Sequence, residues 1–361
     1  MNQLKISPGP HISAPLSTRG VMGDVLIGLT PAIIASVYHF RLNAVILLLT
    51  CIVSCLACEA LCNLMLKRKQ SAGDLSAVVT AVILALSLPP KLPVSMAIVG
   101  SFFAIGICKM AFGGLGNNIF NPAMGARAFL MVSFGMSMAT WQLPAQLNPE
   151  MPTLSPKTQI SADFMQAADI EAGSVEIDAV TQATPLSWVK KAIKSRSATE
   201  AADIVKAEYP NSQLRFALLG NTAGSLGETN ALALLIGGIY LLVRRTITWH
   251  VPVAVLGSAF IFAEIAFAVD SEAFANPLLH IVSGGIMMCA FFIATDPVSS
   301  PMTRTGMIVF GCGVGLLIVL IRMFGAFPEG VMFAILIMNA LSPLIDRVCV
   351  SKPIGGFPNG K

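Results

Sequence analysis

The stretch 42–66, LNAVILLLTCIVSCLACEALCNLML, decides the fold class. It carries a single charge, Glu59, and stops at Lys67-Arg68-Lys69. A helix needs about 20 mostly apolar residues to cross a bilayer, so this run is long enough to span one. Comparable runs lie near 21–38, 74–89, 94–112 and 122–140, and again near 229–243, 251–269, 277–295, 306–324 and 328–346. Hydrophobic residues make up 55% of the 361 and charged residues 12%, with a mean hydropathy of +0.75. Soluble domains carry about 25% charged residues. One buried core cannot absorb this apolar excess, so lipid must solvate the remainder. The expectation is an all-α integral membrane protein of about ten transmembrane helices, not a soluble enzyme. Nucleic acid is not an expected partner, because no basic stripe with interleaved aromatics is present.

The runs fall into three blocks: five in residues 1–140, a mostly polar loop over 141–228, and five more with a tail in 229–361. The runs 74–89 and 229–243 are short, which suggests tilted, broken or half-inserted helices. With a cytoplasmic N-terminus, Lys67-Arg68-Lys69, Arg244-Arg245, Arg304 and the basic tail of Arg347, Lys352 and Lys361 all fall inside. That obeys the positive-inside rule and places the long loop outside the cell membrane, with both termini cytoplasmic. The polar start, MNQLKISPGPHISAPLSTRG, predicts no cleavable signal sequence.

The two five-run blocks echo each other in order. Gly20-Val-Met-Gly23-Asp24 matches Gly224-Ser-Leu-Gly227-Glu228, Pro89-Pro90 matches Asp296-Pro297, and Phe112-Gly113 matches Phe324-Gly325. An odd number of spans per block requires the second to insert upside down. Inverted repeats with discontinuous helices are a transporter architecture whose working site lies near the midplane.

Three motifs carry candidate chemistry. The long loop contains Asp178-Ala-Val-Thr181-Gln182-Ala183-Thr184, of the form D-x-x-[ST]-x-A-T that a flavin transferase modifies. There a threonine hydroxyl attacks the pyrophosphate of FAD and keeps FMN as a phosphoester. A loop gives the modifying enzyme access, while the plain alternative is an Asp/Thr turn. The second motif, Phe112–Leu130 or FGGLGNNIFNPAMGARAFL, combines Gly113, Gly114 and Gly116 with Asn117, Asn118 and Asn121. Such a loop can cradle a flavin ring or a phosphate, or can be a re-entrant turn whose amides serve its own backbone. The third, Phe291–Pro301, sets Thr295 and Asp296 at a helix end, where helix capping competes with ligand binding.

Ionisable residues inside apolar runs are costly and are functional candidates by default. Glu59 and Glu264 fall mid-run, and Asp24, Asp74, Lys109, Arg127 and Glu228 nearer the ends. Asp24, Glu59, Glu228 and Glu264 are the ion-path candidates. Cys51, Cys55, Cys58 and Cys62 follow i, i+4, i+7, i+11 spacing, one face of one helix. Packing of small side chains against a neighbour is a simpler account of them than metal binding, and no disulfide framework is implied.

Taken together, SPGPHISAPLSTRGVMGDVLIGLTPAI, FGGLGNNIFNPA, DAVTQATPL, GSLGETNALALLIGGIYLL, FFIATDPVSSP and FPEGVMFAILIMNALSPLID resemble, in this order, the D subunits of Rnf ion-translocating ferredoxin–NAD oxidoreductase complexes. The B subunit of the sodium-pumping NADH–quinone oxidoreductase is a more distant likeness. The resemblance implies a urea-transporter-like fold of two inverted five-helix repeats in the bacterial inner membrane. It implies covalent FMN on Thr184, with Asp178, Thr181 and Ala183 as the recognition residues, although Gln182 stands where many such motifs have Gly or Ser. It also implies riboflavin or a second flavin on the cytoplasmic side, placed here around Asn117, Asn121 and Thr295. The implied partners are the A, B, C, E and G subunits of the Rnf complex, a flavin transferase and membrane lipid. The chain would relay electrons coupled to sodium or proton export, as one subunit of a translocase without catalytic residues of its own. NADH must bind elsewhere, since no glycine fingerprint joins a strand to a helix. A secondary transporter or channel for a small neutral solute is the competing expectation, because broken helices in inverted repeats would serve it equally.

Overall fold

The computed structural model describes residues 17–67, 71–140, 218, 224–269, 276–325 and 329–350. Among them every regular element is helical. Five helices are long and apolar enough to cross a membrane: α1 (Thr18–Phe40), α2 (Leu42–Met65), α8 (His250–Val269), α11 (Arg304–Phe324) and α12 (Val331–Val348). Between them lie α3 (Ser76–Leu86), α4 (Val94–Phe102, running on as a π-helical turn Phe103–Met110), α5 (Pro122–Ser133), the short α6 (Gly135–Met138), α7 (Ala231–Val243), α9 (Pro277–Val282) and α10 (Ile286–Met288, running on as π-helical Cys289–Ile293). No more than 44% of any of the five long apolar windows is buried inside the protein. Ile34, Val53, Ile261 and Val309 point outward from four of these helices. An apolar exterior of this extent marks a membrane-facing surface.

Glycine sets the closest helix crossings. On α7, a Cβ at Gly237 would overlap the Gly28 carbonyl of α1, and one at Gly238 would run into the Phe291 ring. On α11, Gly311 and Gly315 lie against the α8 backbone at Val251 and Val255. Small residues four apart let helix backbones approach in this way, where lipid supplies no hydrophobic drive for helices to associate. The α2 cysteines serve the same end against α4. Cys51, Cys55 and Cys58 are buried, and the Cys55 and Cys58 thiols lie 4.0 Å from Ser101 O and 3.8 Å from Phe102 O.

Two helices stop short. α3 has 11 residues and α7 has 13, so at 1.5 Å per residue neither reaches across a ~30 Å apolar layer. α3 ends ahead of Pro89-Pro90, and proline cannot donate to continue a helix. Its freed carbonyls are answered from a distant part of the chain: Leu226 N–H donates to Leu88 O at 3.1 Å and Gly227 N–H to Leu86 O at 2.7 Å. A Cβ on Gly227 would come 2.8 Å from Leu86 Cβ, so the approach requires glycine. Ser36 of α1 places its hydroxyl 2.6 Å from Leu226 O and holds the same segment.

The expected run 277–295 is a broken helix. It opens at Ser283-Gly284-Gly285, where Gly284 takes a φ of 70°. The break frees carbonyls on one side and an N–H on the other. Arg322 of α11 donates to His280 O at 2.5 Å and Ser283 O at 2.9 Å, and Glu329 accepts from Gly285 N–H at 2.7 Å. The second Glu329 oxygen takes Arg127 of α5 at 2.7 Å. The Arg127 guanidinium also lies 2.7 Å from Glu228 and 3.3 Å from Ser225. Two arginines and two glutamates, all buried, thus balance in charge and tie α5, the 225–228 segment, the α9–α10 break and α11 together.

The first sequence echo is not an echo of conformation. Gly20–Asp24 lies inside α1, whereas Gly224–Glu228 forms the non-helical turn before α7. The turn is set by its backbone pairing to Leu86 and Leu88, for which α1 has no equivalent. The other two matches, at Pro89-Pro90 with Asp296-Pro297 and at Phe112-Gly113 with Phe324-Gly325, each fall at or just past a helix end.

Gly237→Ala is expected to lower the melting temperature of the purified protein through an overpacking cost of about 1–3 kcal/mol. Gly257→Ala on α8, where a Cβ meets nothing within 4 Å, should leave it unchanged or slightly higher. Arg127→Met strands two buried carboxylates and should cost about 3–5 kcal/mol. Thermal unfolding in detergent would read this as the largest drop of the three.

Candidate functional site

Asp178, Thr181, Ala183 and Thr184 lie outside the described residues. The remaining candidates separate into three places.

At one end of the fold the 111–121 loop, the 294–300 loop and α12 converge. Gly113, Gly114 and Gly116 have φ of 117°, 99° and 93°, the left-handed turns that glycine alone adopts without strain. Asn121 is the N-cap of α5: its side-chain oxygen accepts from Ala123 N–H and Met124 N–H, and Pro122 occupies the first turn. The Asn339 amide, oriented to satisfy both its ends, accepts from Asn121 N–H at 3.0 Å and donates to Ser299 O at 3.2 Å and Ile335 O at 3.3 Å. Thr295 gives its hydroxyl to Phe291 O at 2.8 Å, and Asp296 accepts from the Ser299 hydroxyl and Val298 N–H. The structure therefore brings the Asn121 and Thr295 segments together through Asn339. Both side chains are engaged in local structure, and Asn117 is the one of the three that is exposed. Capping of the following helix falls to Thr303, which accepts from Gly306 N–H, and not to Thr295 or Asp296.

The second place is built on Glu59. This carboxylate is fully buried, and its Oε1 takes the Lys109 ammonium at 2.7 Å and the Ser71 hydroxyl at 2.8 Å. Lys109 belongs to the π-helical end of α4 and also donates to Ser76 Oγ at 2.6 Å. Ser76 in turn donates to Asp74 Oδ1 at 2.6 Å, and Asn63 donates to Ser71 at 2.9 Å. The residues of α2, α3 and α4 thus form one hydrogen-bonded chain from a buried carboxylate to a partly exposed one. π-helical turns recur at functional sites because the extra residue re-aims side chains.

The third place is the arginine–glutamate cluster around Glu228 described above. Asp24 does not share its setting. On α1, Asp24 meets Arg244 at 3.3 Å, the Tyr240 hydroxyl at 3.3 Å and the Thr246 hydroxyl at 3.1 Å, at a partly exposed edge. Glu264 is exposed on the outward face of α8 beside Ile261 and Ile265, apart from the other three ion-path candidates.

Sequence reasoning alone did not single out Arg322 and Glu329. The available signal was a charge near the end of one apolar run and another at the start of the next. Among the described residues no group of three or more His, Cys, Asp or Glu could hold a metal ion.

Known proteins are similar to this sequence almost end to end. A model described as the NQR2, RnfD, RnfE family matches residues 5–355. The chain is 40% identical to the D subunit of the ion-translocating oxidoreductase complex of Stutzerimonas stutzeri, covering 96% of this chain and 94% of that protein. It is 39% identical to the D subunit of the Na(+)-translocating ferredoxin:NAD(+) oxidoreductase complex of Acetobacterium woodii, over 98% and 97%. It is 36% identical to the D subunit of the proton-translocating ferredoxin:NAD(+) oxidoreductase complex of Clostridium ljungdahlii, over 96% and 94%. Through nearly its whole length, then, the chain belongs to the NQR2, RnfD, RnfE family.

Proposed function

We propose that this chain is the D-type membrane subunit of an ion-translocating ferredoxin–NAD oxidoreductase complex, and that it carries FMN as a phosphoester on Thr184. The carrying observation is the Asp178–Thr184 motif, within a chain whose relatives along nearly their whole length are named as D subunits of such complexes. When bound, FMN supplies one-electron chemistry. The protein's part is to hold the cofactor's phosphate at Thr184 and to keep the loop's end rooted at Ser225–Glu228 through the Leu86–Gly227 pairing. Electron donors and acceptors, and NAD itself, belong to the partner chains, which on this reading are the A, B, C, E and G subunits.

Two inverted repeats of five helices, 1–140 and 229–361, account for the packing pattern. α2 packs on α3 and α4 as α8 packs on α9 and α11, while α1 meets α7 and α5 meets α12. On this reading the ends marked by Lys67, Arg244-Arg245, Arg304 and Arg347 are cytoplasmic in a bacterial inner membrane. The 141–228 loop is then extracytoplasmic. A second flavin, of riboflavin type, would sit at the cytoplasmic edge where Asn117 is exposed, with Asn121 and Thr295 shaping the loops around it.

The test is in-gel ultraviolet fluorescence of the denatured protein after co-expression with a flavin transferase. Wild type should fluoresce and Thr184→Val should not. Absence of signal in both, with the transferase active on another substrate, would remove the covalent flavin and favour a carrier for a small neutral solute.

A further inference from the structure

The Glu59–Lys109 pair leaves one of its buried atoms open. Glu59 Oε1 accepts two hydrogen bonds, but Oε2, equally buried, has no partner among the described residues. A buried acceptor left unmade costs about 1–3 kcal/mol, and a cation beside Oε2 would offset that cost. The surrounding donors are oxygens: the Ser71 and Ser76 hydroxyls and the Asp74 carboxylate reached through Ser76. Oxygen sets of this kind suit hard cations, not soft ones.

The charges select the class of ion. Facing one another are Glu59 from α2, Asp74 from the turn before α3, and Lys109 from α4, with Thr80 and Ser76 the polar groups of α3. Among the described residues two carboxylates and one ammonium leave one negative charge, so one monovalent cation brings the cluster to neutrality and a divalent one overshoots. Ser76 Oγ touches the ammonium and Asp74 at once. The flexible lysine stem therefore has a second carboxylate one hydroxyl away, at a partly exposed position.

We propose that this cluster is an exchange site in which a sodium-class cation takes the place of the Lys109 ammonium on Glu59, while the ammonium moves to Asp74. Lys109 is the built-in occupant, and the buried carboxylate is never left without a cation. The binding is read from this geometry alone; only its use, as a station for a translocated ion, rests on the function proposed above.

The test uses the full chain in nanodiscs, with equilibrium binding of radioactive sodium and melting curves in which choline replaces sodium at constant ionic strength. Wild type should bind sodium saturably and melt higher in it, and Glu59→Gln should lose both effects. Lys109→Met, freed of the competing ammonium, should need about tenfold less sodium for half-saturation, because every site is then competent. The neutral pair Glu59→Gln/Lys109→Met keeps the packing if the single lysine variant does not fold, and it should melt identically in both salts. Sodium binding that survives Glu59→Gln or the double variant would overturn the proposal. So would its absence from both wild type and a folded Lys109→Met, or calcium binding in its stead. Thr184→Val should bind sodium like wild type, so loss of the flavin reading and loss of this one are seen separately.

Discussion

Peptide groups at a helix end must be hydrogen-bonded, and inside an apolar layer there is no water to do it. Three interruptions create such ends here: the stop of α3 at Leu86, the late start of α7 at Ala231 and the opening between α9 and α10. Two of them are answered by parts of the chain distant in sequence, and the start of α7 by its own N-cap, Asn230, which accepts from Ala233 N–H. Backbone from Leu226 and Gly227 serves α3. The guanidinium of Arg322 and the carboxylate of Glu329 serve the two sides of the α9–α10 opening. Arg127 then neutralises Glu329 and Glu228 together. The long helices form the frame around these interior joints, and the glycine crossings at Gly237, Gly311 and Gly315 bring that frame close enough for the joints to close.

The same logic separates structural charge from charge with work to do. In the Arg127 cluster, positive and negative groups are equal in number, and Arg322 and Glu329 complete a broken backbone while Arg127 joins the two glutamates. The Glu59 cluster carries an unequal count among the described residues, and only its Asp74 serves a helix end, that of Ser76 at the start of α3. Its ammonium is held by a carboxylate and a hydroxyl that other hard cations could use as well. A fold that surrounds one rigid polar joint with one exchangeable one is suited to a complex in which an ion must be bound without disturbing the scaffold.

Much of this was readable from residue order. Long apolar runs, the shortness of 74–89 and 229–243, the turn character of the glycines at 113, 114 and 116, and the packing role of the α2 cysteines all follow from local composition and spacing. The opening at Ser283-Gly284-Gly285 did not, because a pair of glycines in an apolar run reads equally as a close crossing. What makes it a break is Arg322 and Glu329, whose positions only the tertiary fold brings near. Glu59 stood out as a carboxylate in an apolar run, but its pairing with Lys109 spans two helices and has no local signature. Asp24 and Glu228 looked equivalent because their flanking glycines match. Backbone pairing to Leu86 made one a turn while the other stayed helical. The flavin motif around Thr184 is the reverse case, plain in residue order and outside the described fold.

The pairing of Leu86 and Leu88 with Leu226 and Gly227 also has a consequence for how the protein is made. The carbonyls at the end of α3 wait for a segment that the ribosome delivers well over a hundred residues later, at the end of the 141–228 loop. Until then the first block must be sheltered by the insertion machinery or hold its end at the lipid–water boundary, and it settles to its final depth only as the second block enters. The end of the first block is thus completed by backbone that only later synthesis supplies.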